Sequence, residues 1–195
     1  MYPLIIISGP AGVGKTTVAK ALFKIYPELR SSVTYTTRKP RTLSTEDKKM
    51  YYVSVEEFTK KKDENGFLEW AKVHGDFYGT AKDETVEILK SNPVLFNIDV
   101  QGADQLMKTF PGNCITIFLV PESQEQMVDH IKNRGEMSEG DFQTRLKSAE
   151  FELGKRDMFQ NQIVNKEGKL SETIDKIAKI IEPAIAAASG IDKNA

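Results

Sequence analysis

Cysteine is nearly absent: Cys114 is the only one in 195 residues. One cysteine excludes an internal disulfide and fits a reducing, cytoplasmic setting. A basic excess is missing too, since 27 Lys and Arg against 28 Asp and Glu leave a net charge of −1. That balance argues against a dedicated nucleic-acid binder, although it allows a local basic pocket. No apolar run approaches the length of a transmembrane helix, so no membrane partner is expected. The N-terminus lacks a basic region followed by a signal-peptide core. Internal repeats and low-complexity linkers are also lacking. Hydrophobic residues make up 39% of the chain, enough for one core, and the length suits one domain with inserted parts.

Residues 9 to 16 read Gly9-Pro10-Ala11-Gly12-Val13-Gly14-Lys15-Thr16. This fits G-x-x-x-x-G-K-[ST], a phosphate-binding loop. Leu4-Ile5-Ile6-Ile7 before it is an unbroken apolar run, as in a strand buried on both faces. Val18, Ala19, Leu22, Phe23 and Ile25 after it recur at near-helical spacing. Strand, loop and helix are thus in the order the motif needs. Its backbone N–H groups can cradle phosphates at a helix N-terminus, with Lys15 as a point charge and the Thr16 hydroxyl available to Mg²⁺.

Strands are expected at Leu4 to Ser8, Val94 to Asp99, Cys114 to Val120 and Gln162 to Asn165. Helices are expected at Thr16 to Tyr26, Gly102 to Phe110, Ser123 to Asn133 and Ser171 to Ala188, the last with Ser171 as N-cap. Alternation of this kind implies an α/β fold with a parallel sheet flanked by helices, its ligands at the carboxyl ends of the strands. The loop at 9–16 and Asn97-Ile98-Asp99 both fall there. Two stretches interrupt the alternation. Residues 33–90 mix short β-rich runs, aromatics and charge, and residues 134–156 are polar and helical. The C-terminal residues 191–195 are expected to fray.

Within the first stretch, Arg38 and Arg41 are three residues apart in an extended or turning segment before and after Pro40, and two guanidinium forks can grip one phosphate. Glu69 can accept from a base that presents N–H and NH₂ side by side, as guanine does and adenine does not. Thr80 can donate to a guanine carbonyl, and Tyr78 can bond a phosphate. His74 reads as structural.

At these residues the chain resembles the guanylate kinase family. The matching pieces are Ser8 to Thr17, Thr36 to Arg41, Val53 to Phe58, Phe67 to Ala71, Tyr78-Gly79-Thr80 and Ile98 to Gly102, in family order, within a resemblance spanning about 4–182. The resemblance implies a P-loop kinase core (about 1–32, 91–121 and 156–190), a GMP-binding insertion (about 33–90) and a helical lid (about 122–155). It implies phosphoryl transfer from ATP to GMP, and to dGMP, with Mg²⁺ as cofactor. By position, ATP contacts fall on Gly9, Pro10, Ala11, Gly12, Val13, Gly14, Lys15, Thr16 and Thr17. Acceptor contacts fall on Thr34, Arg38, Arg41, Glu69, Tyr78, Thr80 and Asp99. Lys15 with the lid arginines Arg134 and Arg145 is expected to be catalytic, and Thr16 to meet the metal. A monomer or homodimer is expected.

Three positions depart from the family pattern. Met50 stands where a tyrosine usually completes the phosphate grip; Tyr51 and Tyr52 adjoin it, and a shift of one residue would restore a hydroxyl. Asn97 stands where Asp-Ile-Asp usually begins, and His130 where the lid often carries arginine. Two other readings stay open: a kinase of the same fold with another phosphorylated acceptor, and a non-catalytic binding module. The intact Gly14-Lys15-Thr16 argues against the second.

Overall fold

The computed structural model describes residues 1–40, 50–132 and 138–190. Its centre is β1 (Leu4–Ser8), in which every residue is buried. Because side chains alternate along a strand, β1 feeds two cores. Ile5 and Ile7 join Val18 and Leu22 of α1 (Lys15–Ile25) and Ile174, Ile177 and Ile181 of α7 (Leu170–Ser189). Leu4 and Ile6 join Leu89 of α3 (Lys82–Leu89) and Val100, Ala103 and Leu106 of α4 (Val100–Thr109). Burying each such aliphatic side chain is worth about 1.5–3 kcal/mol. The apolar run therefore reads as a strand between two helical layers.

Around β1 lie β2 (Arg30–Ser31), β7 (Val94–Asn97), β8 (Cys114–Pro121) and β9 (Asn161–Asn165), in the order β2-β7-β1-β8-β9. All these pairs are parallel, with Ile7 opposite Asn97 and Ile117. The carboxyl ends of β1 and β7 thus lie together, which brings the phosphate-binding loop beside Asn97-Ile98-Asp99. The expected parallel α/β sheet is present, and its four foreseen strands match within two residues.

A second sheet, ordered β4-β3-β6-β5, comprises β3 (Thr34–Thr36), β4 (Met50–Tyr52), β5 (Phe67–Val73) and β6 (Asp76–Ala81). Its outer face carries Tyr35 stacked on Tyr51 at 4.8 Å, and Phe58 stacked on Phe67 at 4.6 Å. Phe58 comes from α2 (Val55–Asp63), which Ser54 opens with a capping box. Glu57 N donates to Ser54 Oγ, and Ser54 N donates to Glu57 Oε2. Helices α5 (Gln124–Lys132) and α6 (Glu139–Leu153) pack Met127, Ile131 and Ala149 together, with Ala11 of the phosphate-binding loop against them.

Three local expectations change. Ser171 is not the cap of α7. The helix starts one residue earlier, at Leu170, after a left-handed Gly168, and Lys169 occupies the cap with no side-chain bond. A fifth strand, β2, joins the four expected ones in the first sheet. Arg30–Ser31 joins the first sheet before Thr34–Thr36 enters the second. Met50 pairs with Thr34, so Tyr51, one residue on, points to the opposite, outer face of the sheet. Cys114 is half-buried against the α4 core, where burial pushes its thiol up to about 11 and makes it inert at neutral pH.

Candidate nucleotide-binding site

The loop between β1 and α1 passes close under its neighbours. Gly9 has φ 143°, and a Cβ there would lie 2.5 Å from the Leu119 carbonyl oxygen. Gly14, at φ 91°, is the N-cap of α1, and a Cβ there would meet Asn165 Nδ2 at 2.7 Å. Larger residues would push the loop off the sheet.

Side chains hold the loop's carbonyls. Lys15 Nζ donates to Gly9 O, and to Pro10 O at 3.0 Å. His130 Nδ1 lies 2.7 Å from Gly12 O, which requires the tautomer that carries its proton there. Asn165 Nδ2 donates to Val13 O at 2.8 Å, and the Thr173 hydroxyl donates to Asn165 Oδ1 at 2.8 Å, which fixes the amide's orientation. With its acceptors engaged in this way, the loop and the first turn of α1 offer donors to an anion. Thr16 lines the cavity described below, whereas Thr17 is exposed on the first turn of α1.

The second sheet supplies the facing wall. Thr34 pairs with Met50 on one side and Thr80 on the other, and Thr80 pairs with Glu69. One row, Met50–Thr34–Thr80–Glu69, therefore crosses all four strands on one face. The next row on that face is Tyr52–Thr36–Tyr78–Ala71. It brings the Tyr52 hydroxyl within 3.4 Å of an Arg38 guanidinium nitrogen. A hydroxyl thus stands near Arg38 two residues after Met50, on the same face.

Glu69 is 4% exposed, and its Oε1 accepts from the Thr80 hydroxyl at 2.6 Å. Burial raises its pKa from 4.5 to about 7; the Thr80 hydrogen bond opposes the rise and the Asp99 charge adds to it. Thr80 is itself fully buried and is absent from the cleft wall, so its proton serves Glu69 rather than a base carbonyl. Asp99 caps α4, accepting from Gln101 N at 2.6 Å and Gly102 N at 3.1 Å.

Lys15, Thr16, Thr34, Arg38, Glu69, Tyr78, Asp99 and Arg145 all line one cavity of about 270 Å³. They come from α1, the second sheet and the segment after β3, the cap of α4, and α6. Arg41 and Arg134 lie outside the described residues. No sequence motif marks Glu152, one of the cavity's lining residues, nor Asn165 and Gln105. Asn165, at the carboxyl end of β9, carried the one available signal, since strand ends border ligands in such sheets.

Thr16, Asn97 and Asp99 line that cavity as well, and Asn97 Nδ2 lies 3.4 Å from Thr16 Oγ1. Among the described residues no cluster of three His, Cys, Asp or Glu could hold a metal alone. The hydroxyl, amide and carboxylate oxygens here suit a hard divalent ion that shares its shell with phosphates and water.

No helix among the described residues is long and apolar enough to cross a membrane. The guanylate kinase family model matches residues 1–184. Guanylate kinase of Caldanaerobacter subterraneus subsp. tengcongensis is 38% identical over 192 residues, covering 98% of this chain and 90% of that one. Guanylate kinase of Clostridium tetani is 41% identical over 179 residues, covering 91% and 84%. In three dimensions, guanylate kinase from Anaplasma phagocytophilum matches with a TM-score of 0.75 at 28% identity, over 94% of this chain and 86% of the other. A cavity joining a phosphate-binding loop to a buried carboxylate, with these matches along nearly the whole length, establishes that the chain belongs to the guanylate kinase family.

Proposed function

We propose that this protein transfers the terminal phosphoryl group of ATP to GMP, and to dGMP, giving GDP or dGDP and ADP. The observation that carries the reading is the single cavity in which Lys15 and Thr16 face Arg38, Tyr78 and Glu69. It offers a triphosphate end and an acceptor end at once.

In this reading Arg38, Arg41 and Tyr78 hold the GMP phosphate, while Glu69, Thr34 and Asp99 face the guanine, with Thr80 orienting Glu69. Residues 33–90 form the GMP-binding part and 122–155 the lid. An oxygen of the GMP phosphate attacks the γ-phosphorus in line. The bond from that phosphorus to the bridging oxygen breaks, and the electron pair leaves with ADP. A phosphate monoester has its second pKa at about 6, so the nucleophile is already ionised and needs no general base. Lys15 leaves the Gly9 and Pro10 carbonyls for the transferring group, and Arg134 and Arg145 add charge as the lid closes. Closure also excludes water, which would otherwise take the phosphoryl group. Thr16, with Asn97 near it, is the residue that would meet Mg²⁺, which would neutralise phosphate charge when bound. A reducing cytoplasm suits the single Cys114.

The test is a coupled ADP-release assay with ATP and Mg²⁺ over GMP, dGMP, AMP, CMP and UMP. Turnover confined to the guanine nucleotides is expected. Faster turnover with another monophosphate would replace the acceptor, and no turnover with any would leave a binding module.

A further inference from the structure

Glu69 belongs to β5, the edge strand of the second sheet, yet its carboxylate lies against α4 of the first. The residue beneath it is Gly102. A Cβ there would stand 2.4 Å from Glu69 Oε2 and 3.0 Å from Cδ, too close for either atom to stay where it is. One turn on, Gln105 turns its amide to the same strand. Trp70 N donates to Gln105 Oε1 at 3.2 Å, and Gln105 Nε2 donates to Trp70 O at 2.8 Å. The side-chain amide pairs with the edge strand's main chain as a neighbouring strand would. Residues three apart share a helix face, so Gly102 and Gln105 meet β5 together. Thr80 holds the carboxylate from the other side at 2.6 Å.

We propose that Gly102 and Gln105 are positioning residues for base selection: they seat Glu69 at the point where it meets the N1–H and 2-amino edge of guanine. The proposal rests on the reading of Glu69 as the group that recognises guanine. Gly102 acts by what it lacks. With a methyl group at 102, the gap to Oε2 must open from 2.4 Å to beyond 3.0 Å. The atom in the way ends a side chain, so the carboxylate yields and the helix stays. Alanine is also the better helix former. Gln105 acts by clamping the backbone one residue beyond Glu69, so that β5 cannot ride away from α4. A positioned hydrogen-bonding group loses most of its value when displaced by a fraction of an ångström.

The experiment compares GMP with IMP, which carries the same phosphate, ribose and N1–H but no 2-amino group. Kd by calorimetry, kcat/KM and Tm are measured for the parent, Glu69→Gln, Gly102→Ala, Gln105→Ala and the double variant Gly102→Ala with Glu69→Asp. Glu69→Gln and Gly102→Ala should each lower the GMP-to-IMP preference by about tenfold or more, the loss of one charge-assisted hydrogen bond. Gly102→Ala should keep the KM for ATP and the Tm. Gln105→Ala should lower the preference by a smaller factor. Shortening Glu69 beside Ala at 102 should recover part of the preference, because the two changes share one space. An unchanged preference in Gly102→Ala, or equal losses for GMP and IMP, overturns the proposal while leaving Glu69 as the base reader. If Gly102→Ala does not fold, an unchanged preference in Gln105→Ala overturns it. Unaltered Kd and kcat/KM for both GMP and IMP in Glu69→Gln overturn the reading of Glu69 itself.

Discussion

The Thr80 hydroxyl donates to Glu69 Oε1 across 2.6 Å in a site closed to water on that side. One buried hydroxyl is a weak substitute for a hydration shell, which is why the Glu69 carboxyl sits near 7 while no ligand is bound. Guanine would supply the missing donors. In the proposed reading the substrate would complete the site.

Glu69→Gln keeps the shape and turns one acceptor into a donor that faces guanine's own N–H. GMP kcat/KM should fall more than tenfold, since a buried charge-assisted hydrogen bond is worth about 1.5–3 kcal/mol. The KM for ATP should hold. Steady-state kinetics with each substrate varied checks both, and unaltered GMP kinetics would remove Glu69 from the base site.

The same burial has a stability consequence with a definite sign. Between pH 4.5 and about 7 the folded protein keeps a proton on Glu69 that the unfolded chain has lost. Stability therefore falls as pH rises through that window and levels off above it. The full shift corresponds to roughly 3 kcal/mol. Glu69→Gln carries no charge to bury, so its Tm should exceed the parent's by several degrees at pH 8 and match it near pH 4.5. Thermal melts without nucleotide at the two pH values decide it. Equal Tm at both would mean that the carboxylate is hydrated.

Lys15→Ala should nearly abolish turnover in a folded protein, because the residue would contact the transferring group. Arg145→Ala and Arg134→Ala should lower kcat more than they weaken GMP binding. The kinetic split between kcat and KM is the readout. A change confined to the KM for GMP would take both arginines out of the lid's role.

Asn97 offers an N–H to Thr16 Oγ1 at 3.4 Å, where an aspartate would accept the hydroxyl's proton and add a charge. Asn97→Asp should therefore lower the Mg²⁺ needed for half-maximal turnover at fixed MgATP. Superimposable Mg²⁺ titrations of the two proteins would make Asn97 structural only.

Asn165→Ala leaves the Val13 carbonyl without its donor and Thr173 without its acceptor. Loss of these contacts should loosen the phosphate-binding loop and raise the KM for ATP by about tenfold, at a cost of about 1–3 kcal/mol. The KM for GMP should change little. Equal effects on both substrates would point to general destabilisation.

Much of this molecule was legible in one dimension because its signals are local. The apolar run Leu4 to Ile7 reads as a buried strand, Gly14-Lys15-Thr16 as a phosphate loop, and the spaced apolar residues from Val18 to Ile25 as a helix, each from neighbours in the chain. Spacing against the family pattern also singled out Glu69, Arg38, Tyr78, Asp99 and Arg145, which line one cavity. Contacts between distant segments left no such trace. Strand register decided that Met50 faces the cleft and Tyr51 the outside, because a shift of one residue inverts every side chain. Only folding brought Asn165 and His130 to the loop, 152 and 118 residues away from their partners, and set Gly102 behind Glu69. Local sequence determines which segments form strands, helices and loops; long-range packing determines which of their polar groups meet, and hence the charge that Glu69 can hold.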